Sequence, residues 1–138
     1  MPQGQEIAYS KYSTAISDTK PIKNLYKTVS LQETNSRVNS KIRYKTDIND
    51  YWQSARETLK LMTGDCEDYV FLKRQYIIQN GLAKEKDIKV ILVYDLKKEI
   101  HHALLVVGEL VLDNQIDKIY KLNSTTFRNR YKMLVTVK

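Results

Sequence analysis

Runs of apolar and polar positions divide the chain into a helical first half and a strand-rich second half. In Ile88–Tyr94 the residues are largely β-branched and partly alternating, which predicts a strand. Asp95 to Glu99 is a polar turn, and Ile100–Val107 is a second strand, so the two predict a hairpin. Gly108-Glu109 makes another turn, and Leu110–Asp113 predicts a third, short strand ending at Asn114. A polar linker containing Asn123, Ser124 and Thr125 leads to a closing strand around Met133–Val137. Upstream the spacing is helical. Leu31, Val38 and Ile42 fall near one face of a helix reaching about Arg43, and Ser30-Leu31-Gln32-Glu33 has the form of a capping box. This helix either starts at Pro21 and kinks or starts afresh at Ser30. Tyr44–Tyr51 reads as a loop, and a second capping box, Ser54 to Glu57, opens a short helix through about Met62.

A third helix starts at Asp65, a good N-cap with Asp68 three residues on, and stops at Asn80-Gly81. Residues 1–21 show little periodicity and predict an extended arm, pinned to the body by Tyr9 and Tyr12. Helices followed by an antiparallel meander make the class α+β, with the third helix packed on the sheet.

Composition narrows this picture. With 138 residues, 42% hydrophobic and 28% charged, the chain predicts a single domain over 1–138 with one sizeable core. No apolar run is long enough to predict a membrane span, and residues 1–20 contain no signal-peptide apolar region. The expectation is a cytoplasmic protein or a mature, trimmed form of an exported one. One cysteine excludes an internal disulfide, and with two histidines it is too few for a Cys/His structural zinc site. A net charge of +7 favours acidic partners, but the lysines are dispersed and no nucleic-acid motif occurs. The excess charge reads as solvated surface able to steer an acidic protein substrate, with no nucleic acid as partner.

Candidate chemistry centres on Gly64-Asp65-Cys66-Glu67-Asp68-Tyr69-Val70. Cys66 falls in the first turn of its helix, where unpaired backbone N–H groups and the positive end of the dipole favour the nucleophilic thiolate. Taken alone, a lone cysteine is more often a small buried hydrophobe. His101 and His102 are adjacent in one strand, so they point to opposite faces and only one can meet the Cys66 helix. Asp113 ends the neighbouring strand, where it can lie beside His102. Asp113-Asn114 could equally be a turn signal, and His102 a hydrogen-bonded strand residue. Together the three supply a nucleophile, a base to take its proton and an acid to fix the imidazole tautomer. The order Cys, His, Asp follows papain-like logic.

Trp52 before a capped helix, then Gly64-Asp-Cys-Glu-Asp-Tyr69, His102-Ala-Leu-Leu-Val-Val107 and Leu110-Val-Leu-Asp-Asn114 resemble the bacterial transglutaminase-like cysteine proteinases, most of all the LapG-type adhesin proteases. Val38-Asn39 and Asp50-Tyr51-Trp52 look like the same family, so the resemblance runs from about Leu25 to Asn114. It implies a papain/transglutaminase-like core with Cys66 as nucleophile, His102 as general base and Asp113 as its orienting partner. It implies a calcium ion held next to the active site by Asp65, Glu67 and Asp68. It further implies a periplasmic enzyme that cuts a large surface adhesin, often near paired alanines, to disperse biofilm, and that a cyclic-di-GMP receptor in the inner membrane sequesters. The chain departs from the family at Ser54-Ala55, where Thr-Pro is usual, at His101 before the base, and through the tail after Asn114.

Physical argument supports the calcium expectation. Three carboxylates within four residues raise the Cys66 pKa, and a dication would cancel that repulsion. Calcium takes six to eight oxygens as a rule, so backbone carbonyls, water, Asp47 or Asp50 would have to complete the shell. The backbone N–H of Cys66 and the Trp52 indole N–H are the expected oxyanion donors. Three other readings stand beside the protease: transglutaminase or amidase acyl transfer on the same triad, a non-catalytic basic binding module, and nucleic-acid binding.

Overall fold

The computed structural model describes residues 11–16, 20–46 and 51–137. Its elements are α1 (Leu31–Lys41), β1 (Arg43–Tyr44), α2 (Ala55–Leu61), β2 (Thr63–Gly64), α3 (Cys66–Gln79), β3 (Ile88–Asp95), β4 (Ile100–Val107), β5 (Leu110–Leu112), β6 (Tyr120–Lys121), α4 (Thr125–Arg130) and β7 (Tyr131–Thr136). The five later strands form one antiparallel sheet in the order β6-β5-β4-β3-β7. A small parallel pair, β1 with β2, sets Tyr44 opposite Gly64 at the entrance to α3.

Strand alternation gives the sheet two apolar faces. On one, Val90, Leu92, Ala103, Leu105 and Leu112 pack with Val70, Phe71 and Ile77 of α3. On the other, Ile91, Val93, Leu104, Val106 and Val111 pack with Phe127 and Tyr131. The far side of α3 is covered in turn by α1 and α2 through Val38, Ile42, Ala55, Tyr69, Leu72 and Tyr76. Eleven of the fourteen α3 residues are therefore buried, which makes α3 the central rod of the molecule. Full burial of each aliphatic side chain contributes about 1.5–3 kcal/mol.

Local signals placed the helix starts correctly. The α1 helix begins afresh at its N-cap Ser30, whose Oγ accepts the Glu33 N–H at 3.0 Å. Glu33 reaches one residue further back than in a standard box and accepts the Val29 N–H at 2.7 Å. At α2 the Ser54–Glu57 box closes in both directions, and Met62 ends the helix in the left-handed region at φ 60°.

Three expectations change. The N-terminal segment is not wholly extended: residues 11–15 make a helical turn whose Tyr12 and Ala15 are buried with Trp52 and Phe71. Tyr9 lies outside the described residues. The polar linker contains the short strand β6 and the helix α4, capped by Ser124 and anchored by Phe127. The closing strand starts at Tyr131, two residues early, because Tyr131 is buried against the sheet.

The β3–β4 turn is tied by Asp95. Its Oδ1 accepts the N–H groups of Lys97 and Lys98, and both its oxygens accept hydrogen bonds from Arg130. Burial raises the Asp95 pKa, but these donors and Gln115 outweigh it and hold the carboxyl well below the usual range. A depressed folded pKa stabilises the fold above the ordinary carboxylate value of about 4, and that contribution is lost as pH falls below it. Urea unfolding should therefore show wild type losing on the order of 2 kcal/mol between pH 7 and pH 2 that Asp95→Asn lacks at both.

Candidate active site

Cys66 opens α3 because Gly64 and Asp65 turn the chain there. Asp68 holds the turn: its Oδ1 accepts the Gln53 N–H at 2.8 Å and its Oδ2 the Asp65 N–H at 3.0 Å. One side chain thus ties the Trp52 segment to the mouth of α3. Burial and the neighbouring Asp65 charge push Asp68 up to about 8. A Cβ at Gly64 would lie 2.6 Å from the Asp68 Cβ, nearer than real Cβ contacts come. Since Asp68 is held at both oxygens, Gly64→Ala should cost about 1–3 kcal/mol in urea unfolding.

The Cys66 thiol is buried, donates to Glu67 Oε2, and receives the backbone N–H of Ala103. Burial pushes its pKa well up; the Glu67 and Asp65 carboxylates add to this, and the Ala103 N–H opposes them. The sulfur is therefore held as a thiol, against the pull of the helix dipole. The thiol's contact with Ala103 sets it one residue along β4 from His102.

His102 is 3% exposed, and its Nε2 lies 3.0 Å from Asp113 Oδ1. His101, across from Tyr94 in the β3 register, projects to the opposite face of the strand as alternation requires; it is exposed and lines the Cys66 cavity, while His102 lines the adjoining one. Asp113 is fully buried and saturated. Oδ1 also accepts the Gln115 N–H at 2.9 Å, and Oδ2 accepts the hydroxyls of Tyr120 at 2.9 Å and Tyr131 at 2.6 Å. Burial alone raises the Asp113 pKa, but the His102, Tyr131 and Gln115 hydrogen bonds outweigh it and keep the group ionised. The Tyr131 ring stacks on the His102 imidazole, 5.5 Å between centroids and 16° between planes.

From α1, Asn39 donates to the Asp113 carbonyl at 3.0 Å, and Asn35 and Gln32 donate to the Asp117 carbonyl at 2.7 and 2.8 Å. The polar face of α1 thus fixes the loop that carries Asp113. Lys73, two turns along α3 from Cys66, is buried with its ammonium 5.7 Å from the Tyr69 ring centroid. Burial lowers its pKa to about 7 against the pull of Asp113 and Asp117.

Trp52 is buried against Phe71, and its Nε1 has no hydrogen-bond partner among the described residues. A buried N–H without an acceptor costs about 1–3 kcal/mol, and this one lies in the same buried cluster as Cys66.

Two cavities adjoin and share Tyr44, Thr46 and Ile100. One, about 480 Å³, is lined by Cys66, Asp65, Glu67 and Glu99. The other, about 620 Å³, is lined by His102, Asn114, Gln115, Arg130, Lys97 and Lys98. Among the described residues no three His, Cys, Asp or Glu side chains are grouped to hold a metal. Asp65 and Glu67 face the Cys66 cavity, whereas Asp68, the third acid named for calcium, spends both oxygens on backbone N–H groups. Asp47 and Asp50 lie outside the described residues. The Tyr44 phenol is pushed up to about 12 by burial and by the nearby Cys66, Asp65 and Glu67.

Sequence reasoning singled out Cys66, His102, Asp113 and Trp52 but missed Tyr120, Tyr131, Gln115 and Lys73. All but Lys73 lie after Asn114, beyond the motifs on which the resemblance was read, and their contacts depend on pairings across the sheet that no local spacing encodes.

Comparison with known structures agrees with this architecture. The chain is similar to Legionella pneumophila LapG in a calcium-bound structure, at 24% identity and a TM-score of 0.69, over 98% of this chain and 77% of that one. The same protein after EGTA treatment gives 23% identity and a TM-score of 0.70, over 99% and 76%. A candidate cysteine protease from Cytophaga hutchinsonii gives 16% identity and a TM-score of 0.58, over 96% of this chain but 40% of that one. No match was found among curated proteins. The model of the bacterial transglutaminase-like cysteine proteinases matches residues 9–134, which takes in all of α3, the sheet and most of β7. The chain therefore belongs to the bacterial transglutaminase-like cysteine proteinases and is a cysteine protease.

Proposed function

We propose that this protein is a calcium-dependent endopeptidase that works through Cys66, His102 and Asp113. Its substrate is a large bacterial surface adhesin, cut in the periplasm to control biofilm attachment and dispersal, and an inner-membrane cyclic-di-GMP receptor sequesters it. The observation that carries the catalytic reading is the buried His102–Asp113 pair, set one residue along β4 from the N–H that holds the Cys66 thiol. The adhesin, the receptor and the compartment are supported by the resemblance of the Trp52–Asn114 motifs to the adhesin-cleaving members of the family.

The chemistry follows from the donor set. With Nε2 engaged by Asp113, Nδ1 is the ring nitrogen left to take the Cys66 proton. The thiolate then attacks the peptide carbonyl, forming a C–S bond while the oxygen takes up negative charge facing the Cys66 N–H and the Trp52 indole N–H. Losing one such donor typically costs about 10²–10³ in rate. Collapse breaks the C–N bond, and the imidazolium returns its proton to the departing amine. Water, deprotonated by His102, then hydrolyses the thioester and regenerates the thiol. Asp113 stays ionised throughout and stabilises the imidazolium.

The Cys66 mouth fits calcium in its donor chemistry. Asp65 and Glu67 offer only oxygen, and after burial their carboxylates are the next causes that raise the Cys66 pKa. Bound there, the cation would supply positive charge that lowers the thiol pKa. A chelator should stop cleavage of a purified adhesin fragment and slow alkylation of Cys66, and added calcium should restore both. Chelator-resistant cleavage would remove the metal from the proposal. With a primary amine present, isopeptide product in place of hydrolysis would instead mark the enzyme as an acyl transferase.

A further inference from the structure

The active-site cleft is electrically lopsided. The cavity at Cys66 carries Asp65, Glu67 and Glu99; the adjoining cavity at His102 carries Lys97, Lys98 and Arg130. Arg130 is matched by Asp95, which accepts from it at 2.9 and 3.1 Å. The Lys97 and Lys98 side chains are exposed, and their backbone N–H groups are bound to Asp95 Oδ1 at 2.9 and 3.0 Å. The turn backbone is thus held still, while among the described residues neither ammonium group has an ion-pair partner. The same cavity is lined by Asn114, whose Oδ1 is a buried acceptor with no partner among the described residues. An unmet acceptor beside two cations suits a peptide that presents an N–H and a carboxylate.

Resting on the protease reading, the reaction gives this cavity a direction. The acyl half of the substrate stays on the Cys66 sulfur, and the departing amine leaves beside His102. The chain that follows the cleaved bond therefore runs into the His102 cavity. We propose that this cavity is the subsite for the segment C-terminal to the cleaved bond. It selects an aspartate or glutamate side chain there through Lys97 and Lys98. With calcium held by Asp65 and Glu67, Glu99 is the one unmatched carboxylate lining the Cys66 cavity, so the selection rests on Lys97 and Lys98.

The test has two arms. In the first, calcium-supplemented wild type and Lys97→Glu/Lys98→Glu each digest a mixed peptide library, and cleaved ends are read by mass spectrometry. Wild type should enrich Asp and Glu over Lys and Arg after the cleaved bond by about fivefold, the scale of one or two part-exposed ion pairs. The double variant should lose or reverse that preference. In the second arm, acetylated and amidated hexaglutamate and hexalysine peptides are titrated onto the Cys66→Ala protein, so that only side chains supply charge. Hexaglutamate should bind the more tightly, weaken on raising salt to 1 M, where the Debye length is about 3 Å, and weaken with Lys97→Glu/Lys98→Glu. Equal enrichment of acids and bases, or an acid preference untouched by the double variant, overturns the proposal. If no peptide is cleaved yet lysine-dependent hexaglutamate binding persists, the cavity is an acid-binding site, and its place after a cleaved bond falls with the endopeptidase reading. If hexaglutamate binding is also absent, both fall.

Discussion

Cys66→Ala should reduce cleavage of an adhesin fragment to the uncatalysed background, a loss of up to about 10⁶ in rate. The expectation is this large because the chain holds one cysteine, so no second thiol can substitute. Without a sulfur there is no thioester, and an active-site water would have to attack the peptide directly. The fold should survive: Cys66 is a small buried side chain at a helix start, and alanine fills its place with the loss of little more than one atom. Circular dichroism and the urea midpoint should stay near wild type. Alkylation of the wild-type thiol should have the same consequence as the substitution. Cleavage that persists in clean Cys66→Ala protein would end the catalytic reading, because every step of it passes through that sulfur.

Asp113→Asn should lower kcat by about 10⁴ while leaving KM much less affected. Asp113 receives four hydrogen bonds, from His102, Gln115, Tyr120 and Tyr131. A carboxylate accepts all four; a carboxamide can accept on one side only and must donate on the other. If its NH₂ faces His102, the imidazole is driven to the tautomer with its proton on Nδ1, the nitrogen that must instead receive the thiol proton. If its NH₂ faces the two tyrosines, a buried cluster of donors is left short of acceptors at a cost of about 1–3 kcal/mol. Either way the charge that stabilises the imidazolium is gone. Activity within tenfold of wild type, with the variant folded, would remove Asp113 from its orienting role.

The two substitutions also separate site from scaffold. Cys66→Ala removes a reacting atom and should leave stability unchanged. Asp113→Asn alters a buried hub joined to α1, β4, β6 and β7, so it should register in both activity and unfolding. Gly64→Ala lies between them, since it acts on the Asp68 clamp and reaches the chemistry only by moving the start of α3.

Much of this was readable in the residue order. Ser30, Ser54 and Asp65 set helix starts through hydrogen bonds within three or four residues, and such short-range signals survive in sequence. The β3–β4 hairpin was equally plain, because its apolar residues are continuous and its turn is polar. The type and order of Cys66, His102 and Asp113 suggested the chemistry that we propose. Tertiary structure alone decided the rest. It turned the Cys66 thiol to Glu67, spent both Asp68 oxygens on backbone N–H groups, buried Lys73, and laid Tyr131 over the His102 ring. It also made a helix of residues 125–130, which as a polar stretch had promised only a linker, by burying Phe127 against the far face of the sheet. These outcomes depend on partners tens of residues away and on which groups lose water together, quantities that a local pattern of polarity does not contain.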